Sequence, residues 1–255
     1  KTIGNNRLKK IFPKLKAWHK WFMTWRLTDR NCIFISHPWE AGRDNSPDWD
    51  NAMRAINPVG VGEYTRRDTS HVDGSMRPTQ EDYDRYLWLV QRGRKLKWDE
   101  ELMSVNRPFE VADPTMTFIL LRASRDLLYM AEALDIDNIE ISEWCSKLRE
   151  GIETLRNPDG EFFNAINCRT DEHSGNITSA SFLNWYAGID DDKTLKILTK
   201  TLEETRYPIP SLSINSEKFD GMRYWRGPTW AVLNSLVGIG SVSYTHLTLP
   251  TTGIV

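Results

Sequence analysis

Apolar residues recur at three- and four-residue steps over most of the chain, which is the pattern of amphipathic α-helices. In the first such stretch, residues 14–26, five side chains form the apolar stripe: Leu15, Trp18, Trp21, Phe22 and Trp25. Pro13 precedes this stripe, in a place that suits the first turn of a helix. Six further helices are predicted at about residues 47–56, 79–97, 114–134, 138–155, 179–187 and 192–205.

A last helix opens over residues 224–230 and reaches Gly240, which brings the predicted total to about eight. Strand-like runs are few and short, at residues 32–36 and 161–166, and residues 57–79 read as a long polar loop of a kind that often has a function. Helices that alternate with polar loops predict an all-α chain packed as a bundle, a solenoid or a ring.

The amino-acid composition excludes several classes of protein. The 255 residues suit one large domain or two small ones. The 33 basic and 35 acidic residues nearly balance, which argues against a nucleic-acid-coating protein. No apolar run approaches the roughly 18 residues of a membrane span. The 3 Cys and 5 His lack metal-site spacing, so neither a metal nor a disulfide framework is predicted, and the oligomeric state stays open.

Aromatic residues are unusually frequent, with 11 Trp, 8 Tyr and 9 Phe. One explanation is a large helical core, since Trp buries much surface area. The other is sugar binding, because the flat apolar face of a sugar ring stacks on aromatic rings. The count alone leaves both explanations open.

The densest group of reactive side chains lies in residues 37–50, HPWEAGRDNSPDWD, where Glu40 and Asp44 share a turn between two tryptophans. A glycosidase needs a carboxylic acid that keeps its proton until it gives it to a leaving oxygen, and partial burial against aromatic rings serves that need. The alternative is purely structural: Asp44 to Ser46 form a turn and a helix cap. Asp48 and Asp50 are interpreted as structural.

A second group lies in residues 223–230, RYWRGPTW, where aromatic rings and two arginines flank a Gly-Pro turn. Guanidinium donors beside aromatic platforms suit a polar ring that carries an anionic group. An aromatic turn packed on the core explains the pattern equally well. Arg77 and Tyr83, at the junction of the long loop and its following helix, are by themselves ordinary surface residues.

HPWEAGRDNSPDWD and YWRGPTW resemble the motifs of glycoside hydrolase family 63, and most closely those of its bacterial branch of mannosylglycerate and glucosylglycerate hydrolases. The first motif is also similar to a trehalase pattern, and FEVADP, residues 109–114, is a third and weaker match. Together the matches span residues 37–235.

The resemblance implies an (α/α)6 barrel with its site at the mouth, an inverting mechanism and no metal or organic cofactor. It implies that Asp44 is the general acid. It also implies substrate contacts from five residues: Trp39 in the sugar subsite, Tyr224 and Trp230 along the substrate, and Arg77 and Tyr83 at the glycerate end.

In that family the general base is a Glu downstream of YWRGPxW, whereas Glu63, Glu110 and Glu217 lie outside the matching motif. Residues 242–252, VSYTHLTLPTT, resemble a translated sequencing adapter. We therefore expect an incomplete barrel, with a partial catalytic domain in residues 1–241 and an artefactual tail in residues 242–255. Such a chain would hold half of the catalytic pair and would be inactive by itself. The compartment stays open, with the cytoplasm favoured.

Two rival functions stay open. A trehalase-like enzyme or oligosaccharide α-glucosidase is the nearer one, although the second trehalase signature, QWDxPxxW, is absent from the sequence. The other is a non-catalytic helical protein that binds carbohydrate or acts as a scaffold, in which Asp44 would face helix N–H groups. The glycosidase hypothesis predicts instead that Trp39, Asp44, Tyr224 and Trp230 come together around one site.

Overall fold

Helices form most of residues 4–243, the part of the chain that the computed structural model describes. Eight α-helices lie in this part: α1 (Asn5–Trp25), α2 (Asp50–Arg54), α3 (Gln80–Lys95), α4 (Glu100–Ser104), α5 (Pro114–Ala133), α6 (Ile139–Gly151), α7 (Asp192–Glu204) and α8 (Ala231–Ser243). Short 3-10 helices occupy Pro38–Ala41, Pro47–Trp49, Gly74–Met76, Ile152–Leu155 and Ser179–Phe182. The prediction of an all-α chain is confirmed. Of the predicted adapter-like tail, residues 244–255 lie outside the described residues.

Helix α1 starts eight residues before the predicted boundary at Pro13, so that prediction was wrong. Pro13 lies inside the helix with its side chain exposed. Proline has no backbone N–H, but on this exposed face water can bond to the carbonyl that is left without a donor. Its neighbour Phe12 is buried with Leu127 and Ile141 of α5 and α6. Burial of this apolar face stabilises the first turns and offsets the cost of the proline.

Helices α5 and α6 form the central pair, and α1 packs on α5. Asp113 caps α5, because its carboxylate accepts the backbone N–H groups of Thr115 and Met116, both at 3.2 Å. The largest apolar cluster lies around this pair and includes Phe118, Leu121, Leu148, Phe163 and Trp185. No helix in residues 4–243 is long and apolar enough to cross a membrane.

A small antiparallel sheet positions the loops. Its strands follow the chain in order: β1 (Phe34–Ile35), β2 (Val111–Ala112), β3 (Ile166–Asn167) and β4 (Glu172–His173). Phe34 pairs with Ala112, and Val111 pairs with Asn167. Because β1 leads into residues 37–50 and β2 leads into Asp113, the sheet places the first motif beside the N-terminus of α5.

Candidate active site

Residues 37–50 fold into two 3-10 helices with a tight turn between them. The N–H of Trp39 donates to Nδ1 of His37 (3.0 Å) and caps the first helix. Gly42 ends it with φ +66°, a left-handed conformation that favours glycine. Ser46, not Asp44, caps the second helix through a hydrogen bond from the N–H of Asp48 (3.3 Å). Asp44 is therefore not used as a helix cap.

The neighbouring Arg43 points away from the site into the protein interior, where its side chain is 1% exposed. Its guanidinium lies 2.9 Å from Asp48 and 2.7 Å from Asp113, and its Cζ is 4.8 Å from the ring centre of Trp49. Burial raises the pKa of Asp113, and the charge of Arg43 opposes that rise. We call these three ionic side chains, Arg43, Asp48 and Asp113, the buried ion cluster. It fastens the turn to the start of α5.

Burial also raises the pKa of the Asp44 carboxyl above its ordinary value. The positive charge of Arg77 and the hydroxyl of Tyr224 act in the opposite direction, and the charge of Asp68 adds to the rise, so the effect of burial is not cancelled. The Tyr86 hydroxyl donates to the backbone carbonyl of Asp44 and fixes the main chain at this point. A fixed carboxyl that holds its proton to a higher pH has the property that a general acid requires.

The other carboxylate of the turn, Glu40, has different partners. It accepts hydrogen bonds from Arg26 (3.2 Å) and from the backbone N–H of Ser36 (2.9 Å). These bonds join the turn to the end of α1, so Glu40 has a structural place that Asp44 lacks.

Two groups of aromatic rings are connected to Asp44, one through Tyr86 and one through Tyr224. In the first group, the ring centre of Trp39 lies 6.3 Å from that of Tyr83 and 5.8 Å from that of Tyr86. In the second, Tyr224 and Trp230 are 5.2 Å apart, edge to face. Trp39 is 42% exposed, so part of its ring is accessible to a ligand.

The two sequence motifs meet across 176 residues through a bidentate ion pair between Arg226 and Asp50, with N–O distances of 2.6 and 3.2 Å. The long loop joins them as well. The N–H of Tyr224 donates to the carbonyl of Met76 (2.9 Å), and Cζ of Arg77 lies 4.1 Å from the ring centre of Tyr224. One continuous set of contacts thus links all six predicted site residues: Trp39, Asp44, Arg77, Tyr83, Tyr224 and Trp230.

Sequence reasoning missed three residues of this region. Tyr86 lies on α3 three positions after Tyr83, so both rings are on one face of the helix, and that spacing is a signal the sequence does contain. Arg66 and Asp68 lie in the long loop and form a bidentate ion pair at 2.6 and 3.0 Å. No motif indicates them, because their positions depend on how the loop folds.

A cavity of about 440 Å³ lies elsewhere in the molecule, and none of the six predicted residues lines it. Its wall includes Cys32, Arg107, Glu110 and Cys168. Burial raises the pKa of Glu110, but Phe34 is the one aromatic side chain among the described residues of the cavity wall, and neither sequence motif contributes to that wall. We therefore place the candidate site at Asp44. Across residues 4–243, no three His, Cys, Asp or Glu side chains lie close enough together to hold a metal.

Comparison with known proteins decides the family. A model described as the mannosylglycerate hydrolase MGH1-like glycoside hydrolase domain matches residues 1–248. The chain belongs to this family. It is 36% identical over 251 residues to mannosylglycerate hydrolase MGH1 of Selaginella moellendorffii, a match that covers 96% of this chain and 51% of the relative. It is 37% identical over 246 residues to a mannosylglycerate hydrolase of Thermus thermophilus, covering 94% and 59%.

Among solved structures, a family 63 mannosylglycerate hydrolase from a second strain of Thermus thermophilus, in complex with Tris and D-glycerate, matches with a TM-score of 0.89 and 37% identity. This match covers 94% of the chain and 59% of the solved one. The resemblance to family 63 is thereby confirmed, and the helical architecture agrees with the predicted toroid. The chain spans between about half and three-fifths of the length of these MGH1-like relatives.

Proposed function

We propose that the chain supplies the general-acid side of an inverting glycoside hydrolase site. Its substrate is a small α-glycoside whose aglycone has a carboxylate, such as mannosylglycerate or glucosylglycerate. The observation that supports this most directly is the carboxyl of Asp44, whose pKa burial raises and which Tyr86 and Tyr224 connect to two groups of aromatic rings. Membership of the MGH1-like family supports the same reaction.

In the proposed step, Asp44 gives its proton to the glycosidic oxygen while the bond from that oxygen to the anomeric carbon breaks. Asp44 is left as a carboxylate, which the charge of Arg77 and the hydroxyl of Tyr224 both favour. Water attacks the anomeric carbon from the opposite face. A second carboxyl group, about 6.5–9.5 Å from the first, takes the proton of that water.

We place that second carboxyl outside residues 1–241, which on this proposal form only part of a catalytic domain. The reaction needs no metal or organic cofactor, because proton transfer between carboxyl groups and water accounts for every step.

On this proposal, one part of the site binds the sugar and another binds the carboxylate of the aglycone. Trp39 offers a ring face to the sugar, and Trp230 offers the part of its ring that the stacked ring of Trp225 does not cover. Arg77, 22% exposed, has no hydrogen bond from its two terminal nitrogens within the described chain, so these can take a carboxylate in a bidentate pair. The relative that was solved with D-glycerate supports a glycerate aglycone.

The test uses azide, an anionic nucleophile that attacks without the help of a general base. Azide can take the place of water that a base would activate, so the 255-residue chain is incubated with mannosylglycerate or glucosylglycerate, with and without azide. We expect azide-dependent release of glycerate and a β-glycosyl azide, because attack on an α-glycoside from the opposite face inverts the anomeric carbon. In Asp44→Asn, release should fall by about 10²–10⁴-fold, the usual value of general-acid assistance.

Glu40→Gln is the matched control, since it changes the other carboxyl of the same turn and should keep release within about threefold of the unchanged chain. Equal losses in both variants would refute the role of Asp44. Absence of cleavage with azide, together with no binding of glycerate, would refute the proposed function. Hydrolysis without azide well above that of Asp44→Ala would show that residues 1–241 already contain a base.

A further inference from the structure

Asp68 joins two arginines of the long loop. One of its carboxylate oxygens lies 3.0 Å from Nε of Arg66, and the other accepts both Nη2 of Arg66 (2.6 Å) and Nε of Arg77 (3.3 Å). The carboxylate of Asp68 is only 12% exposed. The hydrogen bonds from Arg66 hold its pKa below the ordinary value, so it is ionised at neutral pH.

Each arginine covers a tyrosine that belongs to the candidate site. Cζ of Arg66 is 4.5 Å from the ring centre of Tyr83, and Cζ of Arg77 is 4.1 Å from that of Tyr224. Through its two arginines, Asp68 therefore connects the α3 side of the site to residues 224–230. A cation over an aromatic face is held in orientation as well as in place.

The contact with Asp68 uses only one edge of Arg77. Because Nε donates to Asp68, the guanidinium is turned so that its two terminal nitrogens form the remaining edge. Neither of these nitrogens has a hydrogen bond to any of residues 4–243. Two parallel N–H groups match the two oxygens of a carboxylate, provided that the plane of the guanidinium is fixed.

We propose that Asp68 is a positioning residue that makes the site select an anionic aglycone over a neutral one. By fixing the plane of Arg77, it aims two donors at the aglycone carboxylate beside Asp44. This inference rests on the proposed function, since it takes Arg77 as the group that binds the aglycone.

The test compares D-glycerate with its neutral amide, D-glyceramide, as ligands of the 255-residue chain in isothermal titration calorimetry. The unchanged chain should prefer glycerate. Asp68→Asn should lower that preference about tenfold, mainly through weaker binding of glycerate, since a bidentate pair becomes a single hydrogen bond. The substitution also uncovers positive charge on Arg66 and Arg77, which by itself would favour glycerate, so a fall in the preference reports the lost geometry and not the change of charge.

The matched control is Asp171→Asn, which removes the carboxylate of another bidentate arginine pair, that with Arg30 at 2.6 and 2.7 Å, outside the site contacts. Its preference for glycerate should equal that of the unchanged chain. Asp68→Glu keeps the carboxylate and should recover most of the preference, which separates a positioning role from a folding defect.

Equal weakening of glycerate and glyceramide in Asp68→Asn would show a merely structural role and overturn the inference. An unchanged or greater preference for glycerate would overturn it as well. In both cases the proposed function would stand, because the unchanged chain would still bind glycerate. Failure of the unchanged chain to bind glycerate would instead refute the glycerate part of the proposed function.

Discussion

Arg43 and Asp44 are adjacent in the chain, but their side chains enter two regions of opposite character. Behind the turn, the buried ion cluster pairs Arg43 with two carboxylates whose side chains are 0% exposed. In front, the carboxyl of Asp44 is partly exposed and forms no ion pair with an arginine or lysine of residues 4–243, although burial raises its pKa as it raises that of Asp113.

The buried ion cluster contributes to stability, whereas the carboxyl of Asp44 is suited to chemistry. A buried charge with close ionic partners fixes the main chain, and removal of its partner is costly. A partly exposed carboxyl that has a raised pKa and no such partner can exchange its proton and is suited to give it away. The turn thus places a fixed anchor next to a reactive group, and each of the following substitutions tests one side of that contrast.

Arg43→Met should have the largest effect on stability. The substitution leaves Asp48 and Asp113 buried without their cation, which typically costs about 3–5 kcal/mol of the free energy of unfolding. Urea unfolding followed by circular dichroism measures this loss.

The triple variant Arg43→Met, Asp48→Asn, Asp113→Asn is the control for that substitution. It removes all three charges and keeps an acceptor at the cap of α5, so it should recover most of the loss. A loss below about 1 kcal/mol in the single variant would contradict the anchoring role of Arg43.

Asp44→Asn should have a smaller effect and the opposite sign. The folded-state pKa of Asp44 is raised, so its contribution to stability is fully present below the unfolded pKa and is lost as the pH rises through the folded one. Asn cannot ionise, and the variant should therefore be more stable than the unchanged chain at pH 7, with the difference shrinking toward pH 4. Denaturant unfolding at the two pH values would show this convergence, whereas a destabilised variant at pH 7 would mean that the Asp44 carboxylate is well compensated.

Arg77→Gln should have the smallest effect on stability; besides weakening the binding of glycerate, it should change the titration of Asp44. Arg77 lowers the pKa of this carboxyl, so its removal should move the pKa upward and extend the acid form to higher pH. The alkaline limb of the azide-dependent reaction, or the carboxyl signal in NMR, reports that pKa. Arg30→Gln serves as a distant control, and a downward shift in Arg77→Gln would show that Arg77 does not act on Asp44.

Periodicity alone predicts nearly all of the helices, because the apolar stripe of an amphipathic helix depends on neighbours along the chain. Local chemistry also predicts the caps at Ser46 and Asp113, since a capping side chain needs only the next three residues. Pro13 shows the limit of such local rules: burial of Phe12 against α5 and α6 continues the helix through a residue that ordinarily ends one.

The two motifs identify Trp39, Asp44, Tyr224 and Trp230 by resemblance, but only the tertiary structure decides what acts on them. The pairing of Asp50 with Arg226 spans 176 residues, and the link from Asp68 to Tyr83 and Tyr224 depends on the folded loop. Residue types and local spacing are fixed by the sequence. The pKa of Asp44, the orientation of Arg77 and the anchoring by Arg43 are not, because burial and charge act through distances that only the packed chain sets.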